Sequence, residues 1–117
     1  MLYSRSWDKN MDTKKYRVII TPTAYKEIAK IYDYITDDLY AENAAKRLMN
    51  KVEQEIQKLK DSPKIYAKIE KIDELKRVYR RIVVNNYVIL YTIDEDNEVV
   101  FVSHMYYGGK NYLEGLI

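Results

Sequence analysis

The hydrophobic residues of this chain change their spacing once, near Val78, and that change limits the folds open to it. Before it, Ala24, Ile28, Ile31, Tyr32, Ile35 and Leu39 recur at three- and four-residue steps, as on one face of a helix. Ala45, Leu48, Val52, Ile56 and Leu59 repeat the pattern. Arg47, Lys51 and Lys58 fall on another face of that second helix and read as solvated surface. After the change come "VYRRIVV", "YVILYTI" and "VVFVSHMY", three runs rich in β-branched and aromatic residues. A helix-period pattern does not sit in a sheet, nor a strand pattern in a helix.

Local signals mark the borders. "YRVIIT" (16–21) reads as a strand, and Thr21-Pro22 as a helix start with threonine as cap and proline at the first helical position. The second helix starts near Glu42, and Asp61-Ser62-Pro63 stops it. The short connection between the helices implies an antiparallel hairpin. Residues 64–77, of mixed charge with scattered isoleucines, are expected to form a loop or a helical turn. Asn85-Asn86 suits a tight turn between the first two runs, and "DEDNE" (94–98) a second turn. The expected fold is α+β: an N-terminal strand, an antiparallel helical hairpin, then a three-stranded antiparallel meander, with both helices on one face of the sheet.

At 117 residues the chain has room for one core, assigned to residues 16–117, with 1–15 a flexible N-terminal extension and Met11 an alternative start. It contains no cysteine, which excludes disulfides, thiolate zinc sites and a cysteine nucleophile. No apolar run approaches the ~20 residues of a membrane span. A cytoplasmic protein without cofactor or metal, and with no membrane partner, is expected. Twenty basic and eighteen acidic side chains nearly cancel, so local distribution matters more than net charge. Between Lys76 and Ile93 lie four cations, Lys76, Arg77, Arg80 and Arg81, and no carboxylate. Side chains alternate along "VYRRIVV", so Arg80 and Arg81 point to opposite faces and only one can join an open face of the sheet.

The ordered set Tyr79-Arg80, Asn86-Tyr87, Tyr91 and then Tyr107-Gly108-Gly109-Lys110-Asn111-Tyr112 resembles the RelE/ParE superfamily of toxins from type II toxin–antitoxin systems, over residues 16–116. The resemblance implies a cognate antitoxin that neutralises the chain in a heterocomplex. It implies one of two activities: ribosome-dependent cleavage of mRNA, or poisoning of DNA gyrase without nuclease chemistry. A decayed toxin that retains only antitoxin binding is a third reading. For a nuclease, the resemblance makes Arg80 or Arg81 and Lys110 candidates for phosphate, Tyr112 a candidate stacker or proton donor, and His104 a candidate acid or base. Arg80, Lys110, Tyr112 and His104 are thus the candidate catalytic set of an mRNA interferase, with Arg77, Arg81, Tyr87 and Tyr107 as candidate substrate-binding residues. Each has a plainer competitor: a hydrogen-bonded structural role for His104, cross-strand packing for Tyr87 and Tyr91, a turn for Gly108-Gly109. The sequence also departs from the family pattern. Val88 stands where active nucleases often carry arginine, Gly109 and Lys110 replace paired arginines, and Asn111 replaces aspartate. Lysine offers phosphate a point charge rather than a bidentate fork.

Overall fold

A computed structural model describes residues 15–72 and 77–108. Strand β1 (Arg17–Ile20) leads into helix α1 (Pro22–Asp33), a single π-helical turn (Tyr34–Asp38) and helix α2 (Glu42–Lys58). Strands β2 (Lys68–Ile72), β3 (Val78–Val84), β4 (Tyr87–Asp94) and β5 (Val99–Tyr107) follow. They form one five-stranded sheet in the order β1-β5-β4-β3-β2. β1 is parallel to β5, with Arg17 opposite Val99, and the other pairs are antiparallel. The expected architecture is present, with one correction. Part of the 64–77 segment is neither loop nor helical turn but the edge strand β2, paired with β3 at Lys68–Arg80.

Thr21 caps α1 as its sequence context predicts, accepting from the Ala24 N–H at 3.2 Å, with Pro22 in the first turn. The helix keeps regular geometry only to Asp33; Ile35 on the π turn anchors the end in the core, but Leu39, expected on the same apolar face, lies past the turn and is exposed. Tyr40 then takes a left-handed conformation (φ 51°) that reverses the chain. Ala24 and Ala45 are fully buried within the core cluster. Ala45, Leu48, Val52, Ile56 and Leu59 are all buried. They pack with Ile82, Val84, Ile89, Tyr91, Val100, Val102 and Met105 of the sheet, each large side chain gaining about 1.5–3 kcal/mol from burial.

The other face of the sheet is not the open surface that two covering helices alone would leave. It carries a second, smaller cluster of Ile69, Tyr79, Val88 and Leu90, with Tyr106 packed against it; Leu90 is wholly buried. Polar and aromatic groups on that face therefore surround an apolar centre.

A hydrogen-bond chain fixes the turn that follows α2. The Tyr91 hydroxyl donates to the Pro63 carbonyl at 2.6 Å, the Tyr66 hydroxyl donates to Glu55, and the two rings meet edge to face at 6.5 Å. Burial first, and for Tyr66 also the bond to Glu55, pushes both phenols up to about 12. Their unfolded value is near 10, so the stability they contribute is complete below about pH 10 and lost as pH rises through about 12. In an ultraviolet titration of tyrosinate, these two phenols should ionise last and together with alkaline unfolding. Tyr66→Phe should remove one of the late-titrating groups; an unchanged late step would refute the assignment.

Candidate functional site

The decisive local feature is a β-bulge at Ser103. Leu90 lies opposite His104, but its neighbour Tyr91 lies opposite Val102, so Ser103 has no partner across the β4–β5 ladder. Bulges re-aim the side chains beyond them. Val100 and Val102 face the helices before the bulge and Met105 after it; unbroken alternation would have sent His104 there instead. His104 and Tyr106 thus turn to the other face, where Tyr106 joins Tyr79, Val88 and Leu90. The bulge carbonyl is held by the Thr21 hydroxyl, which donates to Ser103 O at 3.3 Å.

β1 ends opposite Val102, and above that point the edge of β5 is met by α1. Glu27 Oε1 accepts from the Met105 N–H at 3.1 Å and lies 3.3 Å from His104 Nδ1. The Tyr106 hydroxyl is 3.2 Å from the same nitrogen, and the two rings stack with centroids 5.5 Å apart. His104 and Glu27 side chains remain about one-fifth exposed, at 20% and 23%. Burial, and secondarily the Glu27 charge, raises the Tyr106 phenol above its ordinary value. On the same face, Arg81 is registered opposite Leu90, itself opposite His104. The Arg77 guanidinium lies 5.8 Å from the centre of the Tyr79 ring, within cation–π range.

Of the candidate catalytic set only Arg80 and His104 lie within the described residues, and the sheet separates them. Arg80 points to the helix side, away from His104, and Nη1 donates to the carbonyls of Tyr66 (2.7 Å) and Lys64 (3.3 Å). Those bonds give it a structural role. It lines an open groove of about 770 Å³ whose cations Lys64, Lys68 and Arg77 face Asp94, Glu95 and Asp96, a mixed lining that does not favour phosphate. Of the two arginines, Arg81 is the one that shares the face of His104. Tyr87 and Tyr107 form an edge-to-face pair at 5.7 Å, with Tyr87 packed on the helix-side core and Tyr107 half exposed, so neither lies beside His104. Lys110 and Tyr112 lie outside the described residues, as does the extension of residues 1–15 apart from Lys15. Glu27, Tyr79 and Tyr106 belong to the site without having been singled out for it. Glu27 lies 77 residues from its histidine, and no local pattern announces such a contact.

Gly108 closes the site's C-terminal end. Its N–H donates to the Asn86 carbonyl at 2.5 Å, and a Cβ there would sit 2.8 Å from that oxygen. Gly108→Ala must therefore displace the β3–β4 turn or the tail. A cost of about 1–3 kcal/mol is expected from such overpacking, read by urea denaturation; a neutral substitution would show that the contact yields freely.

Among the described residues no three histidine, aspartate or glutamate side chains cluster as a metal site, and no helix there is long and apolar enough to cross a membrane. A family model described as the ParE toxin of the type II toxin–antitoxin system, parDE, matches residues 18–112. The chain belongs to this toxin family. Its members' fold recurs among solved structures at low identity. The RelBE2 toxin–antitoxin complex of Mycobacterium tuberculosis matches with TM-score 0.55 and 21% identity, over 80% of this chain and 91% of that one. The chromosomal ParDE system of P. aeruginosa matches with TM-score 0.58 and 10% identity, over 79% and 95%. The archaeal RelE–RelB complex of Pyrococcus horikoshii matches with TM-score 0.50 and 14% identity, over 82% and 98%. A search of curated proteins finds no match.

Proposed function

We propose that this type II toxin arrests growth by cleaving mRNA on the ribosome in the cytoplasm, and that a cognate antitoxin holds it inactive in a heterocomplex. The observation that carries the reading is the face created by the Ser103 bulge, which gathers an imidazole, two phenols and a guanidinium: His104, Tyr79, Tyr106 and Arg81. RNA cleavage by internal transfer needs a base for the ribose 2′-hydroxyl and positive charge for the phosphorane. In this reading His104 Nε2 takes the 2′ proton as the 2′ oxygen attacks phosphorus. The bond from phosphorus to the 5′ oxygen then breaks, the leaving oxygen takes a proton from water, and the imidazolium returns its proton to solvent. Arg81 supplies charge, and Tyr106 offers a ring edge or face to a base.

Induction of the chain alone should stop growth and create new 5′ transcript ends, mapped by primer extension. Co-expression of a cognate antitoxin should suppress both. A second reading, poisoning of DNA gyrase, is favoured by one observation: Arg80, the arginine of the family-like run, is committed to two backbone carbonyls. Arrest with intact transcripts and broken DNA would select that reading, and no arrest at all would leave a decayed toxin that binds its antitoxin.

A further inference from the structure

We infer that Glu27 is a positioning residue: it fixes His104 as the tautomer protonated at Nδ1, so that Nε2 carries the free lone pair. This deepens the reading above and rests on it only for what the base is used for. Two groups approach Nδ1, and they make opposite demands on it. A carboxylate accepts and does not donate, so the 3.3 Å contact with Glu27 Oε1 is a hydrogen bond only if Nδ1 bears the proton. The Tyr106 hydroxyl, at 3.2 Å, could donate to a bare Nδ1 or accept from a protonated one. Glu27 decides between them because its own position is set independently. The same Oε1 accepts the Met105 N–H at 3.1 Å, a backbone donor of β5 beyond the reach of β1. With Oε1 tethered to the strand, a bare Nδ1 would put two lone pairs against each other. Tyr106 is then a second acceptor for one shared proton, and its ring, stacked at 16° to the imidazole, limits rotation. Among the described residues nothing bonds Nε2, the atom left to act. A carboxylate that orients an imidazole through one nitrogen and leaves the other basic is a general device.

The chain has a single histidine, so full-length protein labelled with ¹⁵N-histidine, made without a histidine tag, gives one imidazole signal. At a pH where the ring is neutral, wild type should show protonated Nδ1 and bare Nε2. Glu27→Ala should move the ring toward the opposite tautomer, whereas Glu27→Gln, whose amide oxygen still accepts from both donors, should largely retain it. Tyr106→Phe should leave the tautomer unchanged. A wild-type ring protonated at Nε2, an unmoved signal in Glu27→Ala, or a tautomer switched by Tyr106→Phe would each overturn the inference. In the cleavage assay Glu27→Ala should lose about 10–100-fold, as lost orienting partners do, with partial recovery in Glu27→Gln. If wild type shows the expected tautomer but cuts no RNA, the nuclease reading fails and the positioning of His104 stands.

Discussion

Tyr91→Ala should destabilise the fold by about 3–5 kcal/mol, the usual cost of deleting a buried aromatic side chain. Tyr91 has no exposed surface and lies on the central strand β4, facing both helices. Its hydroxyl satisfies the buried Pro63 carbonyl, and its ring supports Tyr66, which in turn holds Glu55 of α2. One truncation therefore opens a cavity and strands a buried acceptor. For a domain of this size each kcal/mol lowers the melting temperature by about 4–8 °C, so a fall of at least about 12 °C is expected. Tyr91→Phe separates the two effects. It keeps the ring and leaves only the carbonyl unsatisfied, and should cost about 1–3 kcal/mol. Calorimetry or urea denaturation reads both. Equal losses would mean that the hydroxyl, not the packing, dominates.

His104→Gln should abolish growth arrest while leaving the fold intact. If Nε2 is the general base, its removal should slow RNA cleavage by about 10²–10⁴-fold. Glutamine can still offer an N–H to Glu27, and the partly exposed site tolerates the exchange, so the change in stability should stay within about 1 kcal/mol. Arg80→Ala should behave in the opposite way. It frees the carbonyls of Tyr66 and Lys64, so it should lower stability by about 1–2 kcal/mol and change the cleavage rate of the folded fraction little. Undiminished toxicity in His104→Gln would remove the imidazole from the mechanism. A cleavage defect in fully folded Arg80→Ala would move the active surface to the groove that Arg80 lines.

What could be read from the sequence follows from the range over which each signal acts. The helical hairpin and the three long strands announce themselves within a few residues, through the stepping of Ala45, Leu48, Val52, Ile56 and Leu59 and the β-branched runs after Val78. Thr21-Pro22 and Asn85-Asn86 mark their turns in the same local way, and Asn85 does take a positive φ of 54°. β2 stayed hidden because "KIEKI" alternates lysine and glutamate with only two apolar residues, too weak a period to stand out from loop. The allocation of Arg80 and Arg81 to faces required the register with β4. The turning of His104 depended on one extra residue, Ser103, whose identity carries no bulge signal. Glu27 entered the site through a contact across the fold, which only the docking of α1 against β5 reveals.

The parallel pairing of β1 with β5 has a consequence for how the protein is made. β1 leaves the ribosome before both helices and strands β2, β3 and β4, yet its partner residues, Val99–Val102, lie on β5. The helical hairpin can form early from near neighbours, but the pair that closes this border of the sheet waits for β5, with the entropic cost of a long loop. Ser103 and the turned His104 also come after that pairing point. β5 should therefore have left the ribosome before the imidazole reaches its place beside α1. Limited proteolysis of stalled nascent chains ending before and after β5 should show β1 becoming protected only in the longer set.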